Sequence, residues 1–288
     1  ALAVEYAAAR LLGEDIPQTD GLILLSPAIG ISSLAAIAIW QERLSSLPGL
    51  HKVAWTDILP EYDPYKYNSF TVNAGDQIYR LTLHIAAQLD QLAGPAGVEG
   101  MPPIIAFQSV ADATVSAPAV LHALFMRLAP EGHELVGFDI NRNADVAALL
   151  AKPVTDVRAT LLQGPVLPVN LTVVTNASDE TDDVVAVRRA ANATDTRTEE
   201  LGMSWPAGVY SLSHVAMPFP PDDPIYGSNA PTDSDMIFLG NVDLQGERGF
   251  LAISGDSLMR LRHNPFFPYL EQRVIAFLNR GVPEQATP

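Results

Sequence analysis

The sequence predicts an α/β fold in which a mostly parallel sheet is covered by helices on both faces. Two continuous apolar runs, Gly21 to Gly30 and Pro103 to Val110, are typical of strands that are buried on both sides. The second run is followed by Ala117 to Leu128, where apolar residues recur at helical spacing. Strands that alternate with helices in this way indicate parallel pairing within one sheet.

The other elements continue this alternation. Residues 1 to 12, which are rich in alanine and leucine, predict a helix that begins without a capping residue or a preceding strand. The pattern predicts further strands at Glu134 to Ile140, Val169 to Thr175 and Gly208 to Leu212. It predicts helical or irregular stretches at Asp145 to Leu150, Asp182 to Ala191 and Pro268 to Asn279.

Residues 31–100 interrupt the alternation, and we interpret them as an insertion between two strands. They contain a helical piece (Leu34 to Leu44), an aromatic loop (Tyr62 to Tyr67) and a second helix (Asp76 to Leu92). The chain is therefore divided into residues 1–30, the first part of a core; residues 31–100, an inserted cap; and residues 101–288, the remainder of the core. We expect the cap to lie over a functional site.

Composition narrows the classes of function. A chain of 288 residues that is 48% hydrophobic and 17% charged is globular. Its net charge of −16 and its 17 scattered lysines and arginines argue against nucleic acid as a partner. The sequence lacks any apolar run of about 18 residues, the length that spans a membrane, and it leaves membrane association and localisation open. With no cysteine, covalent chemistry must use Ser, Thr, Asp, Glu or Lys.

Asp112 is the first candidate for catalysis. It follows the apolar strand that ends in Gln108-Ser109-Val110, and ligands bind beyond the carboxyl ends of strands in a parallel sheet. A carboxylate there can accept a hydrogen bond from an imidazole and fix its tautomer. Two alternatives remain: Asp112 caps the following helix, or Asp139, which closes the next strand, is the functional carboxylate.

His214 is the candidate general base. It follows a short predicted strand and precedes residues 215–224, a loop that contains four prolines and therefore has a nearly fixed backbone. Such rigidity suits a base that must stay within hydrogen-bond reach of a nucleophile. The other five histidines have weaker contexts, and none has the H-E-x-x-H spacing of a metal site.

A matching nucleophile is not evident in the sequence. The strained turn that exposes a catalytic serine has the form G-x-S-x-G, which occurs nowhere in the chain. Gly255-Asp256-Ser257-Leu258 spells the signature of a different esterase superfamily. That superfamily also needs an Asp-x-x-His near the end of the chain, and the residues after Ser257 do not contain it.

The order of these parts resembles the second half of an α/β hydrolase. The parts are a helix, the strand with Leu25-Ser-Pro-Ala-Ile-Gly30, an insertion, the strand before Asp112 and the strand before His214. The chain is most similar to the branch of lipases, esterases and lysophospholipases that includes monoacylglycerol lipases and related serine peptidases. In that family the nucleophile precedes the acid and the base.

The resemblance implies a serine hydrolase of carboxylic esters or lipid-like acyl substrates that needs no cofactor. It implies that Asp112 is the orienting acid, that His214 is the base, and that the serine lies just before Ala1. The chain is then expected to lack the first strands of the fold and to pair with its own N-terminal segment. The cap is expected to shape an acyl pocket, with Tyr65, Tyr67 and Phe70 as candidate substrate-binding residues.

Two other functions remain open at this point. A non-catalytic α/β-hydrolase-like binding or partner module is compatible with the pattern, because a fold does not determine a function. A serine peptidase that acts on short peptides is the other, since the sequence does not distinguish ester from amide substrates.

Overall fold

The computed structural model describes residues 1–30, 55–57, 61, 63–67, 69–112, 117–143, 157–232, 237–240 and 261–280. The strands are β1 Leu22–Leu25, β2 Trp55–Asp57, β3 Phe70–Thr71, β4 Ile104–Ser109, β5 Glu134–Phe138, β6 Asn170–Asn176, β7 Asp183–Arg189 and β8 Thr196–Ser204. The helices are α1 Leu2–Leu11, α2 Val72–Leu92, α3 Ala117–Ala123, α4 Val157–Gln163 and α5 Phe267–Leu278, with a 3-10 turn at Phe125–Arg127. The predicted helices at 34–44 and 145–150 and the signature around Ser257 lie outside the described residues.

The chain divides into two compact units. The first comprises Ala1–Thr19, Pro27–Met101 and Ala113–Glu131; the second comprises Asp20–Ser26, Pro102–Asp112 and Gly132–Pro288. We call them the helical unit and the sheet unit. Each is described by itself below.

The sheet unit contains a six-stranded sheet in the order β1-β4-β5-β6-β7-β8. The first four strands in this order are parallel, and β7 and β8 are added as antiparallel strands. Every residue of β4 and β5 is buried, as expected for central parallel strands. The predicted α/β architecture with a mostly parallel sheet is therefore confirmed.

Helices pack on both faces of this sheet. On one face, Phe107 of β4 and Phe138 of β5 belong to a core cluster that also contains Tyr269 and Phe277 of α5. On the other face, a side chain at Gly137 would point toward Leu161 of α4 at 4.0 Å. Because successive residues of a strand face opposite sides, α5 and α4 lie on opposite faces of the sheet.

The helical unit is built from α1, α2, α3 and the small β2–β3 sheet. The side chain of Thr71 accepts a hydrogen bond from the backbone N–H of Ala74 at 3.2 Å and so caps the start of α2. α1 packs against α2, and its buried residues are small: Val4, Ala7, Ala8 and Ala9. No helix in the described part of the chain is long and apolar enough to cross a membrane.

Several element predictions are wrong. Residues 183–189, inside a stretch expected to be helical or irregular, form β7, whose Val184, Val185 and Val187 are β-branched residues that favour strands. Residues 208–212, expected to be a strand, are irregular. The helix predicted over 117–128 ends at Ala123 and continues as the 3-10 turn.

The burial predicted for β1 is also wrong. Leu22 and Leu24 are buried, but Ile23 and Leu25 are each 37% exposed. β1 is the edge strand of the sheet among the described strands, and only one of its faces is covered. A continuous apolar run therefore predicts burial on both faces correctly for the central strands β4 and β5, but not for β1.

Candidate active site

The candidate site is built at the carboxyl end of β4, in the sheet unit. Gln108 is the second-to-last residue of β4, and its Nε2 donates a 2.9 Å hydrogen bond to Oδ2 of Asp112. The backbone N–H of Asp112 donates to the carbonyl oxygen of Ser109 at 3.3 Å, which closes a turn. Gln108 therefore holds one carboxylate oxygen and leaves Oδ1 to face another group.

That group is His214. Its Nδ1 lies 3.8 Å from Oδ1 of Asp112. The side chain of Asp112 is 3% exposed, whereas that of His214 is 33% exposed. The carboxylate is thus enclosed in the protein, and the imidazole is accessible to solvent. A base that acts on a bound substrate needs such access. A separation of 3.8 Å exceeds that of a hydrogen bond, and catalytic hydrogen bonds are often this long before substrate binds.

The rival carboxylate, Asp139, is committed to a structural network. Its Oδ1 accepts from Nη2 of Arg142 at 2.9 Å and from the backbone N–H of Ile140 at 2.9 Å. Its Oδ2 accepts from Oγ1 of Thr175 at 2.8 Å and from Nε of Arg142 at 2.5 Å. With four donors and a paired guanidinium, Asp139 is occupied by partners other than an imidazole. The other alternative for Asp112, a helix cap, concerns residues 113–116, which lie outside the described residues.

The segment that leads to His214 is fixed by side chains at the ends of β4 and β5. The hydroxyl of Ser109 donates a 2.6 Å hydrogen bond to the carbonyl oxygen of Leu212. The backbone N–H of Asn141 donates to the carbonyl oxygen of Tyr210 at 2.9 Å, and its Nδ2 donates to that of Val209 at 3.3 Å. These contacts replace the strand ladder that the sequence predicted here, and they satisfy the backbone carbonyls of an irregular segment.

The loop after His214 is also anchored. The backbone N–H of Ala216 donates to the carbonyl oxygen of Ser213 at 3.1 Å, which turns the chain at the histidine. Asn264 holds both ends of the next segment: its Nδ2 donates to the carbonyl oxygen of Met217 at 3.3 Å, and its N–H to that of Phe219 at 2.7 Å. The predicted rigidity of the proline-rich loop thus has hydrogen-bonded support.

Ser26 adds a third contact at the site. It follows β1 and has a φ of +47°, in the left-handed region that serine rarely adopts. Its backbone N–H donates to the carbonyl oxygen of Phe107 at 2.9 Å, and its Oγ donates to the carbonyl oxygen of His214 at 3.3 Å. Strained backbone of this kind clusters at functional sites. Here it turns a hydroxyl toward the backbone of the candidate base.

The other histidines that the structure describes have different surroundings. Nδ1 of His133 accepts a hydrogen bond from the backbone N–H of Ile104 at 3.2 Å. In the helical unit, Nε2 of His84 lies 3.8 Å from a carboxylate oxygen of Glu5 on an exposed surface. His263 is buried, and this burial lowers the pKa of its imidazole despite an opposing backbone hydrogen bond with Tyr226. Among the described residues, no group of three or more His, Asp or Glu side chains has the geometry of a metal site.

The candidate substrate residues lie in the helical unit. Tyr65 is 57% exposed and Tyr67 is 91% exposed, and both belong to the turn after Asp63. Phe70 begins β3, and its side chain lies outside the described residues. The assignment of these three residues to an acyl pocket stays a prediction.

Sequence reasoning identified Asp112 and His214, which the structure brings together. It missed the side chains that position them: Ser26, Gln108, Ser109 and Asn141. A signal was present, because Gln108 and Ser109 are polar residues inside an otherwise apolar buried strand, where a polar side chain needs a specific partner. Comparison of the chain with protein-family models, with curated proteins and with solved structures finds no match to any of them.

Proposed function

We propose that the protein is a serine hydrolase with an α/β-hydrolase fold, in which Asp112 and His214 are the acid and the base. The supporting observation is the pairing of a buried carboxylate with a partly exposed imidazole at the carboxyl end of a central parallel strand. The strand order and the polar anchors around the pair agree with this proposal. The proposed substrates are carboxylic esters or lipid-like acyl groups.

The pair can perform the proton transfers of acyl transfer. His214 takes the proton from a serine hydroxyl as that oxygen attacks the ester carbonyl carbon, and then returns the proton to the departing alcohol oxygen. Water next attacks the acyl-enzyme with His214 again as base, and the acid product leaves. Asp112 keeps its negative charge throughout and stabilises the imidazolium that forms at each step.

The environment of Asp112 favours this role. Two opposite unit charges about 4 Å apart attract by about 1 kcal/mol in bulk water and by about 4 kcal/mol at the effective dielectric constant of a protein surface. Because Asp112 is 3% exposed and already accepts from Gln108, little of its attraction for an imidazolium is screened by solvent. The carboxylate can thus assist proton uptake without first reorienting.

The nucleophile is assigned by the resemblance alone and completes the proposal. It is a serine on a strand-to-helix turn that precedes the acid and the base, supplied by the segment before Ala1, together with the oxyanion donors. No metal or other cofactor enters the proposed reaction.

The direct test measures hydrolysis of p-nitrophenyl butyrate. The protein is produced with any residues that its gene encodes before Ala1. His214→Ala is expected to lower kcat by about 10³-fold or more, because the base is lost in every proton transfer. His122→Ala, on an exposed helix face, is the matched control and should keep the activity. Full turnover in His214→Ala would remove His214 from the mechanism.

A second experiment separates an enzyme from a binding module. A fluorophosphonate probe forms a covalent bond only with an activated serine, and mass spectrometry then identifies the labelled residue. We expect one labelled serine, with labelling abolished by His214→Ala. Absence of labelling in the folded wild-type protein would contradict the proposed hydrolase activity and favour a non-catalytic module.

A further inference from the structure

A cavity of about 540 Å³ lies at the opposite end of the sheet from the candidate active site, within the sheet unit. It is lined by Glu134 and Asn170, which begin the parallel strands β5 and β6, and by Arg189, which ends the antiparallel strand β7. Asp112, in contrast, follows the carboxyl end of β4. The two sites therefore lie at opposite ends of the parallel strands of this sheet.

The cavity concentrates positive charge in an acidic protein. Its lining includes five arginines and two carboxylates: Arg188, Arg189, Arg197, Arg273, Arg280, Glu134 and Asp195. The chain has 17 basic residues and a net charge of −16, so nearly a third of its positive charge meets at one cavity. The sequence suggested that basic residues are scattered, and the fold brings these five together from β7, β8, α5 and the turn after α5.

Ion pairs among the residues that the structure describes do not account for all of this charge. Glu134 accepts from Arg273 at 2.6 Å and from Arg280 at 3.2 Å, and Arg188 pairs with Glu199 at 2.7 Å. The remaining arginines exceed the remaining carboxylate. In addition, Arg188 and Arg197 are directly opposite each other in the β7–β8 pairing. Like charges at opposite positions destabilise a strand pair, and Glu199 offsets this repulsion at Arg188.

Several guanidinium nitrogens also retain hydrogen-bonding capacity. Arg189 is 2% exposed; its Nη1 donates to the carbonyl oxygens of Leu162 and Gly164 at 3.3 and 2.9 Å. Within the described part of the chain, its Nη2 has no acceptor, and the same holds for Nε of Arg188 and of Arg273. Buried donors without acceptors are uncommon and costly. These three nitrogens are shielded from solvent, so they show that internal acceptors do not saturate the arginines; a ligand in the cavity would meet the other nitrogens of the same guanidinium groups.

We propose that this cavity binds a small molecule that carries phosphate groups. Planar guanidinium groups match the oxygen geometry of a phosphate and donate to it in pairs, which makes arginine the preferred residue for such anions. A multiply charged phosphate compensates the excess of arginines and separates the charges of Arg188 and Arg197. The volume is in the range of cavities that hold small organic ligands, so the phosphate is part of a larger molecule.

The test is calorimetric titration of the protein, produced with any residues that its gene encodes before Ala1, with pyrophosphate at constant ionic strength. We expect saturable binding to one site. Arg197→Gln changes an exposed residue and so leaves folding intact; it is expected to weaken pyrophosphate binding by about tenfold, the effect of losing one hydrogen bond to a charged group. Arg188→Gln is the second variant and should have a similar effect.

Arg10→Gln is the matched control, because Arg10 is exposed on α1 in the helical unit. Pyrophosphate binding should be the same in this variant as in the wild type. Absence of saturable binding in the wild type would overturn the proposal. So would equal weakening by Arg10→Gln, or unchanged binding in both cavity variants. A preference for citrate over pyrophosphate would also overturn it, since it would show a site for carboxylates. None of these outcomes depends on hydrolytic activity.

Discussion

The hydroxyl of Ser109 donates a 2.6 Å hydrogen bond to the carbonyl oxygen of Leu212, which is 103 residues away in the chain. Ser109 is the last residue of β4, three residues before Asp112, and Leu212 is two residues before His214. One buried hydrogen bond thus ties the segment that carries the candidate acid to the segment that carries the candidate base.

Ser109→Ala is expected to destabilise the protein by about 1–3 kcal/mol, because it leaves the buried carbonyl of Leu212 without a donor. The backbone N–H of Ala111, which donates to the same hydroxyl at 3.1 Å, also loses its acceptor. Urea unfolding measures the change. Ser204→Ala removes an exposed hydrogen bond to Asp183 and is the control, expected to change the free energy of unfolding by less. Equal effects of the two variants would show that Ser109 has no special role.

Asparagine variants separate the two carboxylates by function. Asp112→Asn should lower kcat for ester hydrolysis by about 10²-fold or more with little effect on stability, since the amide cannot stabilise an imidazolium. Asp139→Asn should do the reverse: it breaks the buried pair with Arg142 and is expected to cost about 3 kcal/mol of stability while the folded enzyme stays active. Activity assays paired with urea unfolding measure both. Loss of activity in folded Asp139→Asn, with normal activity in Asp112→Asn, would reverse the assignment.

Much of the fold and both members of the candidate pair could be predicted from the sequence. The apolar runs of β4 and β5 reflect burial on both faces, and a parallel sheet brings the carboxyl ends of its strands to one edge. That rule brought forward both Asp112 and Asp139, and the partners of each carboxylate in the structure distinguish them. His214 was selected by the fixed backbone of its proline-rich loop, a local property that can be read directly from the sequence.

The parts that could not be predicted depend on contacts between distant residues. Residues 208–212 have the composition of a strand, but Ser109 and Asn141 occupy the carbonyls that a strand would have paired. β8 is exposed along most of its length, so its sequence shows little alternation to read. The arginine-lined cavity joins residues of β7, β8 and α5, and no local pattern marks such a convergence.

The stability of the protein should fall in mildly acidic solution because of His263. Burial lowers the pKa of this imidazole below its ordinary value of 6.5, whereas the unfolded chain keeps that value. As the pH falls below 6.5, the unfolded state therefore binds more protons than the folded state, and the free energy of unfolding decreases until the pH passes the lowered pKa. Above that window His263 contributes no pH dependence.

Urea unfolding at a series of pH values, from neutral to mildly acidic, measures this effect. His263→Gln should reduce the slope of stability against pH in this window, whatever its effect on absolute stability. His122→Gln, on an exposed helix face, should leave the slope as in the wild type. An unchanged slope in His263→Gln would show that other groups cause the pH dependence.

Glu134 should couple stability to anion binding. Its buried carboxylate pairs with Arg273 and Arg280 and accepts from Thr172, so Glu134→Gln leaves two guanidinium groups without their counter-charge and is expected to cost about 3 kcal/mol. The same change makes the cavity more positive and should tighten pyrophosphate binding. Since a ligand stabilises the state that binds it, the stability deficit of the variant should shrink as pyrophosphate is added.

The matched control for this prediction is Asp90→Asn, which removes the exposed partner of Arg127 in the helical unit. An exposed pair of this kind contributes at most about 1 kcal/mol, and its loss should not respond to pyrophosphate. Urea unfolding of both variants, with and without pyrophosphate, is the measurement. If the deficit of Glu134→Gln matched that of Asp90→Asn and stayed constant with pyrophosphate, Glu134 would be neither a buried counter-charge nor part of an anion site. A deficit that is large but insensitive to pyrophosphate would keep the structural role of Glu134 and remove the coupling, because the added positive charge would then have no ligand to attract.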